Sequence, residues 1–133
     1  MKYTIGFSVT VDKSYAETVD LVVSALKNEG FGVLTQIDVK ATMKEKLGED
    51  FRPYVILGAC NPLLAHRALT SDPSVGLLLP CNVTIESLTE NSSLVNIIDP
   101  KVMMGVGDFR ENEQIRSVAD EAYNKLKRVA QSL

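Results

Sequence analysis

Two segments in the first third of the chain alternate apolar and polar side chains with a period of two. The first covers residues 3–11 and the second covers residues 31–39. This period is typical of a β-strand with one buried face, as in an antiparallel or mixed sheet covered on one side. The predicted strands do not alternate regularly with long helices, which disfavours a doubly wound parallel sheet. The pattern therefore predicts an α+β fold with a mostly antiparallel sheet.

Two long helices are indicated by apolar stripes at helical spacing. The first spans residues 14–30, where Ser14 and Glu17 form a capping-box pattern and Gly30 stands at the expected C-cap position. The second spans residues 112–133. Each helix has its stripe on one side only, so each can be covered once. We therefore predict that both helices pack on the same face of the sheet.

Local signals define the remaining elements. We expect strands at residues 54–60, 76–88 and 93–98, and short helices at residues 41–47, 61–69 and 99–105. The continuous apolar run at 54–60 predicts a central strand covered on both faces. Pro80 interrupts the predicted strand 76–88, which implies an edge position or a bulge because proline lacks the N–H of the ladder. With the two alternating segments these make five strands, in one domain of residues 1–133.

Charge and hydropathy exclude two classes of partner. The net charge is −3, and no run of Lys or Arg exceeds two adjacent residues, so we expect no nucleic-acid partner. No stretch approaches the roughly 20 apolar residues that span a bilayer, so we expect no membrane partner. The N-terminal residues lack the continuous apolar segment of a signal peptide, and we expect a cytoplasmic protein.

Two cysteines form the most distinctive local pattern. Cys60 stands where a strand ends and a helix begins, with Asn61 as N-cap and Pro62 at the first helical position. Free N–H groups and the helix dipole favour a thiolate at such a position. Cys81 follows Pro80, and a bulge there would re-aim its side chain. We predict a ligand pocket formed by Cys60, Asn61, Pro62, His66, Pro80, Cys81 and Asn82, with Asn61 and Asn82 supplying polar contacts.

Three functions remain open for this pocket. The chain lacks a Gly-rich phosphate loop and a nucleophile elbow, and its single histidine excludes a His-rich metal site. The first hypothesis, which we favour, is a non-enzymatic domain that binds a small molecule or an ion. The second is a thiol enzyme or redox sensor with Cys60 and Cys81 as partners. The third is a structural dimerisation module, in which both cysteines are merely small buried apolar residues and His66 is structural.

Metal binding is the less favoured outcome for the ion. Thiolate ligands suit Zn²⁺ or Cu(I), so Cys60 and Cys81 are the candidate metal ligands. His66 lies six residues after Cys60 on the following helix, so it would be roughly 7 Å or more up the helix axis from the N-cap. A direct chelate of one ion by Cys60 and His66 would therefore be strained.

The two cysteine segments also resemble a known family. The run Gly58-Ala59-Cys60-Asn61-Pro62 with Ala65, followed by Leu78-Leu79-Pro80-Cys81-Asn82-Val83, is similar to the bacterial and archaeal family called domain of unknown function 302. The resemblance extends over nearly the whole chain, including Asp99-Pro100. It implies a TATA-box-binding-protein-like α+β fold, without implied DNA binding, and a tendency to form homodimers. It implies no activity. One-sided strands also leave apolar sheet surface uncovered, which independently predicts a homodimer.

Overall fold

The computed structural model describes residues 5–133 and confirms the α+β class. Residues 3 and 4 of the predicted first strand lie outside the described residues. No helix within residues 5–133 is long and apolar enough to cross a membrane. Two 3₁₀ helices cover Pro73–Leu78 and Gly107–Glu111. The strands and α-helices are, in chain order, β1 (Gly6–Val11), α1 (Tyr15–Asn28), β2 (Gly32–Asp38), α2 (Val39–Leu47), β3 (Tyr54–Cys60), α3 (Pro62–Ser71), β4 (Cys81–Thr89), β5 (Ser92–Ile98), α4 (Pro100–Met103) and α5 (Glu113–Gln131).

The five strands form one antiparallel sheet in the order β1-β5-β4-β3-β2. Its register aligns apolar residues across the strands, so that Leu57 pairs with Val83 and Val83 pairs with Ile97. These three side chains are at most 1% exposed. Helices α1 and α5 contact this buried phase of the sheet and also contact each other. Both long helices therefore pack on one face, as their one-sided stripes predict.

The opposite phase of the same strands has no long helix over it, and we call it the open sheet face. One row across it contains Ser8, Asn96, Thr84, Ile56 and Ile37. The Ser8 hydroxyl donates a hydrogen bond to the Asn96 side-chain oxygen. Ile37 is 48% exposed, whereas the other four are half-buried. The open sheet face thus combines small polar and aliphatic side chains.

The predicted strand 76–88 is wrong in its first part. Residues 73–78 form a 3₁₀ helix, because Asp72 caps it by accepting a hydrogen bond from the Ser74 N–H at 2.9 Å and Pro73 supplies a preset first position. Leu77 lies in this 3₁₀ helix and is 89% exposed. Strand β4 begins only at Cys81 and is the central strand, so Pro80 marks neither an edge nor a bulge.

The prediction for residues 54–60 is wrong in part. Strand β3 lies inside the sheet, between β2 and β4, but it is not central and is not covered on both faces. Val55 and Leu57 are buried under the helices, whereas Tyr54 and Ile56 are half-buried on the open sheet face. The continuous apolar run therefore reflects apolar residues on the open sheet face, and not a second layer of helices.

Candidate functional site

The first part of the site is the junction between β3 and α3. Cys60 is the last residue of β3, and the Asn61 side-chain oxygen accepts a hydrogen bond from the Leu64 N–H at 3.3 Å. The Asn61 amide nitrogen approaches the Glu29 carbonyl oxygen at 3.5 Å. The oxygen end of this side chain therefore caps α3, and the nitrogen end links the start of α3 to the end of α1. Pro62 occupies the first turn of α3, as predicted.

The second part of the site is the segment that leads into β4. Cys81 is the first residue of that strand and pairs with Ala59, the neighbour of Cys60. The Leu79–Pro80 peptide bond is cis. Because β3 and β4 are adjacent and antiparallel, the end of one meets the start of the other. The sheet thereby brings both predicted cysteine segments to the same edge of the core.

A small apolar cavity lies between these segments and helix α5, and we call it the cysteine cavity. Its volume is about 30 Å³. A water molecule needs only about 10–15 Å³ of such space but also two to four polar partners, and this lining is apolar. The cavity is therefore suited to an apolar group. It is lined by Phe31, Ala59, Cys60, Asn61, Leu64, Ala65, Leu79, Pro80, Cys81, Met104, Val118 and Ala122.

Burial raises the pKa of both thiols. Cys60 is half-buried, and desolvation raises its pKa above the ordinary value. Cys81 is 5% exposed, and desolvation together with the neighbouring Cys60 raises its pKa to about 11. The position of Cys60 beside the α3 N-terminus predicted the opposite direction. Burial therefore favours the neutral thiol form of both cysteines.

The cysteine cavity offers only two candidate metal ligands. Cys60 and Cys81 both line the cysteine cavity, and its lining contains no His, Asp or Glu. Across residues 5–133, no group of three or more such residues comes close enough together to hold a metal ion. A structural zinc site takes four ligands, and a catalytic one takes three from the protein. The lining therefore does not fit Zn²⁺.

Two of the predicted site residues lie elsewhere. Asn82 is exposed and pairs with Gly58, and the alternation of β4 places it on the opposite side of the sheet from Cys81. There it lines a shallow groove of about 400 Å³ on the open sheet face, together with Tyr54. His66 is exposed and lines a separate cleft between α3 and α5. The structure thus brings together Cys60, Asn61, Pro80 and Cys81, with Pro62 adjacent.

Two glycines that allow close packing of the site segments were not among the predicted site residues. A Cβ on Gly58 would stand 2.7 Å from Pro80 Cγ, so Pro80 folds directly over β3 at that position. Gly30 has a φ of +83°, and a Cβ there would stand 2.9 Å from the Asn61 amide nitrogen. The signal for Gly58 was a glycine inside an apolar strand, which is typical of close approach by another segment.

The fold and site define a class: small α+β domains with an open-faced antiparallel sheet and two cysteines at one end of the core. The model of the family described as Domain of unknown function DUF302 matches residues 7–133. The chain belongs to this family, as the cysteine motifs suggested. It is similar to the crystal structure of an uncharacterized conserved DUF302 protein from Bacillus stearothermophilus. The two are 29% identical over 98% of each chain, with a TM-score of 0.84. No curated protein matches the chain.

Proposed function

We propose that this chain is a non-enzymatic binding domain that accepts a small apolar group in the cysteine cavity. The observation that carries the proposal is an apolar space of about 30 Å³ lined by both cysteines. Binding is favoured over catalysis because the cavity lining offers no residue that could act as an acid or base at neutral pH. The raised pKa of each thiol also disfavours the redox alternative, since the thiolate is the reactive form.

Xenon is a suitable probe, because it enters dry apolar cavities without needing polar contacts. We expect saturable NMR shifts of methyl groups around the cavity, such as those of Leu64 and Val118, as xenon pressure rises. Ala65→Leu should abolish these shifts, since Ala65 lines the cavity and is half-buried. Ala130→Leu is the matched control, because Ala130 is also half-buried on a helix but does not line the cavity.

The xenon experiment also separates the hypotheses. Equal xenon shifts in wild type and Ala65→Leu would contradict binding in the cysteine cavity. Cys81→Val removes the sulfur but keeps an apolar side chain, and we expect it to retain xenon binding. A function that uses the thiol would instead be lost in this variant, whatever the cavity binds.

We also propose that the chain forms a homodimer through the open sheet face. In a chain with 23% charged residues, Glu86 is the only charged side chain that residues 5–133 place in the paired rows of that face, and Arg52 pairs with it at 3.1 Å. Depletion of charge is characteristic of interface cores. Five strands spaced about 4.8 Å apart and about 20 Å long give a footprint of about 500 Å². Protruding side chains make the accessible area larger than this flat footprint and bring it towards the ~800 Å² per partner of a standard interface.

Thr84→Arg tests the dimer directly. Thr84 is half-buried on the central strand, at the middle of the open sheet face, so an arginine there would place a charge in the interface. We expect wild type to scatter light with twice the 14.6 kDa chain mass and Thr84→Arg to scatter as a monomer. Ser24→Arg on the exposed surface of α1 adds the same charge and should stay dimeric. Light scattering by the wild type as a monomer at micromolar concentration would contradict the proposal.

A further inference from the structure

Met104, which lines the cysteine cavity, also lines a second cleft, and we call it the basic cleft. It is formed by α4, the 3₁₀ helix Gly107–Glu111 and α5, and its volume is about 440 Å³. Neither cysteine lines it. The lining residues are Lys101, Met104, Gly105, Arg110, Arg116, Ala119 and Asp120.

The rim of the basic cleft is positively charged although the whole chain has a net charge of −3. Lys101, Arg110 and Arg116 come from three separate elements and converge on it. Asp120 is the one acidic residue in the lining, and its carboxylate lies 3.9 Å from the Lys101 amine. This leaves two guanidinium groups without a carboxylate partner among the described residues.

Those two guanidinium groups keep most of their donors free. The Arg110 Nε donates a hydrogen bond to the Gly107 carbonyl at 3.4 Å, which leaves the two terminal nitrogens available. The Arg116 guanidinium has no hydrogen-bond or ion-pair partner within residues 5–133. A guanidinium presents its donors in a planar fork that matches the oxygens of a carboxylate or phosphate. The rim is therefore equipped to receive an oxyanion.

The floor of the basic cleft is apolar. Met104 is 4% exposed and Ala119 is 5% exposed. Gly105 completes the turn after α4, where a Cβ would stand 2.6 Å from the Lys101 carbonyl oxygen, so the backbone approaches closely. Met104 also lines the cysteine cavity, and its flexible side chain is the common wall. An apolar floor with a few converging polar groups is typical of small-molecule sites.

From this arrangement we propose that the basic cleft binds a small organic anion. Its oxyanion head, a carboxylate or a phosphate ester, contacts Arg110, Arg116 and Lys101. Its short carbon chain lies on Met104 and Ala119. The site is distinct from the proposed function, because it involves neither cysteine and needs no occupancy of the cysteine cavity.

The test is NMR of protein carrying ¹³C-methyl methionine, with the Met104 signal assigned by Met104→Leu. Met43 on α2 does not line the cleft and serves as the internal control. The probes are hexanoate and hexyl phosphate, with acetate as a head without a chain and hexylamine as a chain with the opposite charge. We expect saturable shifts of Met104 with hexanoate and hexyl phosphate, weaker ones with acetate and none with hexylamine. The tighter of the first two identifies the head group.

Arg110→Gln/Arg116→Gln should weaken hexanoate and hexyl phosphate about tenfold or more, because it removes the charge-assisted donors. Lys127→Gln removes a positive charge from an exposed position of α5 outside the cleft, and it should bind as wild type does. Equal binding of hexylamine and hexanoate, or unchanged binding in the double arginine variant, would overturn the proposal. Acetate binding as tightly as hexanoate would overturn the role of the apolar floor.

Discussion

Replacing Gly58 by alanine tests whether Pro80 is held against β3 in the way the structure describes. An added Cβ would stand 2.1 Å from Thr35 Oγ1 and 2.7 Å from Pro80 Cγ. Thr35 is exposed and can rotate its hydroxyl away, but the Pro80 ring can move only with its backbone. We expect Gly58→Ala to lower the free energy of unfolding by about 1–3 kcal/mol, the usual cost of overpacking.

The sign of the change in unfolding free energy distinguishes a close contact at Gly58 from an open position. Where the backbone tolerates a side chain, Gly→Ala stabilises a protein by about 0.4–1 kcal/mol, because the unfolded chain loses freedom. Gly32→Ala is the matched control, since Gly32 lies at the start of the neighbouring strand and a Cβ there would meet nothing within 4 Å. Equilibrium urea unfolding measures both variants. A Gly58→Ala variant as stable as Gly32→Ala would refute the close approach of Pro80.

Two further variants address single positions. Asn61→Ala removes the cap of α3 and the link to the Glu29 carbonyl, so urea unfolding should show a free energy of unfolding lower by about 1–2 kcal/mol. Asn61→Asp should keep most of the cap. Equal losses of unfolding free energy in both variants would contradict the capping role. Leu77→Ser should change the free energy of unfolding by less than about 0.5 kcal/mol, because Leu77 is 89% exposed, and a larger loss would mean that it packs against the core after all.

The long helices and strands of this fold could be predicted from the sequence because apolar residues recur at a regular spacing along their buried faces. The stripe of α5 contains Ile115, Val118 and Leu126, all at most 1% exposed, and the capping signals of Ser14 and Asn61 both form hydrogen bonds. The leucines before Pro80 could not be placed by the same reasoning. Residues 76–79 match a strand in composition, but Asp72 and Pro73 start a 3₁₀ helix whose effect on the following residues is not periodic.

The candidate site was predictable where it depends on local order and not where it depends on contacts between segments. Cys60 and Cys81 line one cavity because their strands are neighbours in the sheet. Strand alternation alone separates Asn82 from Cys81, so the same period that identified β4 could have excluded a shared pocket. The thiol pKa shifts arise from burial, and the lining of the cavity includes Met104 and residues of α5, which are distant in sequence.

The raised pKa of Cys81 makes stability depend on alkaline pH. Its neutral thiol is favoured in the folded state, where desolvation and Cys60 raise the pKa to about 11 from an ordinary value of 9.0. A raised pKa contributes stability that is fully present below the unfolded pKa and is lost as pH rises through the folded value. The loss attributable to Cys81 should therefore fall between about pH 9 and pH 11, and amount to about 2–3 kcal/mol.

Urea unfolding under reducing conditions at pH 8, 9.5 and 11 measures this loss. Lysines and tyrosines also titrate in this window, so the quantity to follow is the difference in unfolding free energy between wild type and Cys81→Val. We expect wild type to lose stability relative to the variant as pH rises, because valine cannot ionise. Repeating the comparison in a Cys60→Val background should give a smaller loss, since the second cause of the shift is removed. A difference that stays constant from pH 8 to pH 11 would mean that Cys81 is not desolvated by the cavity, and the apolar character assigned to the site would be wrong.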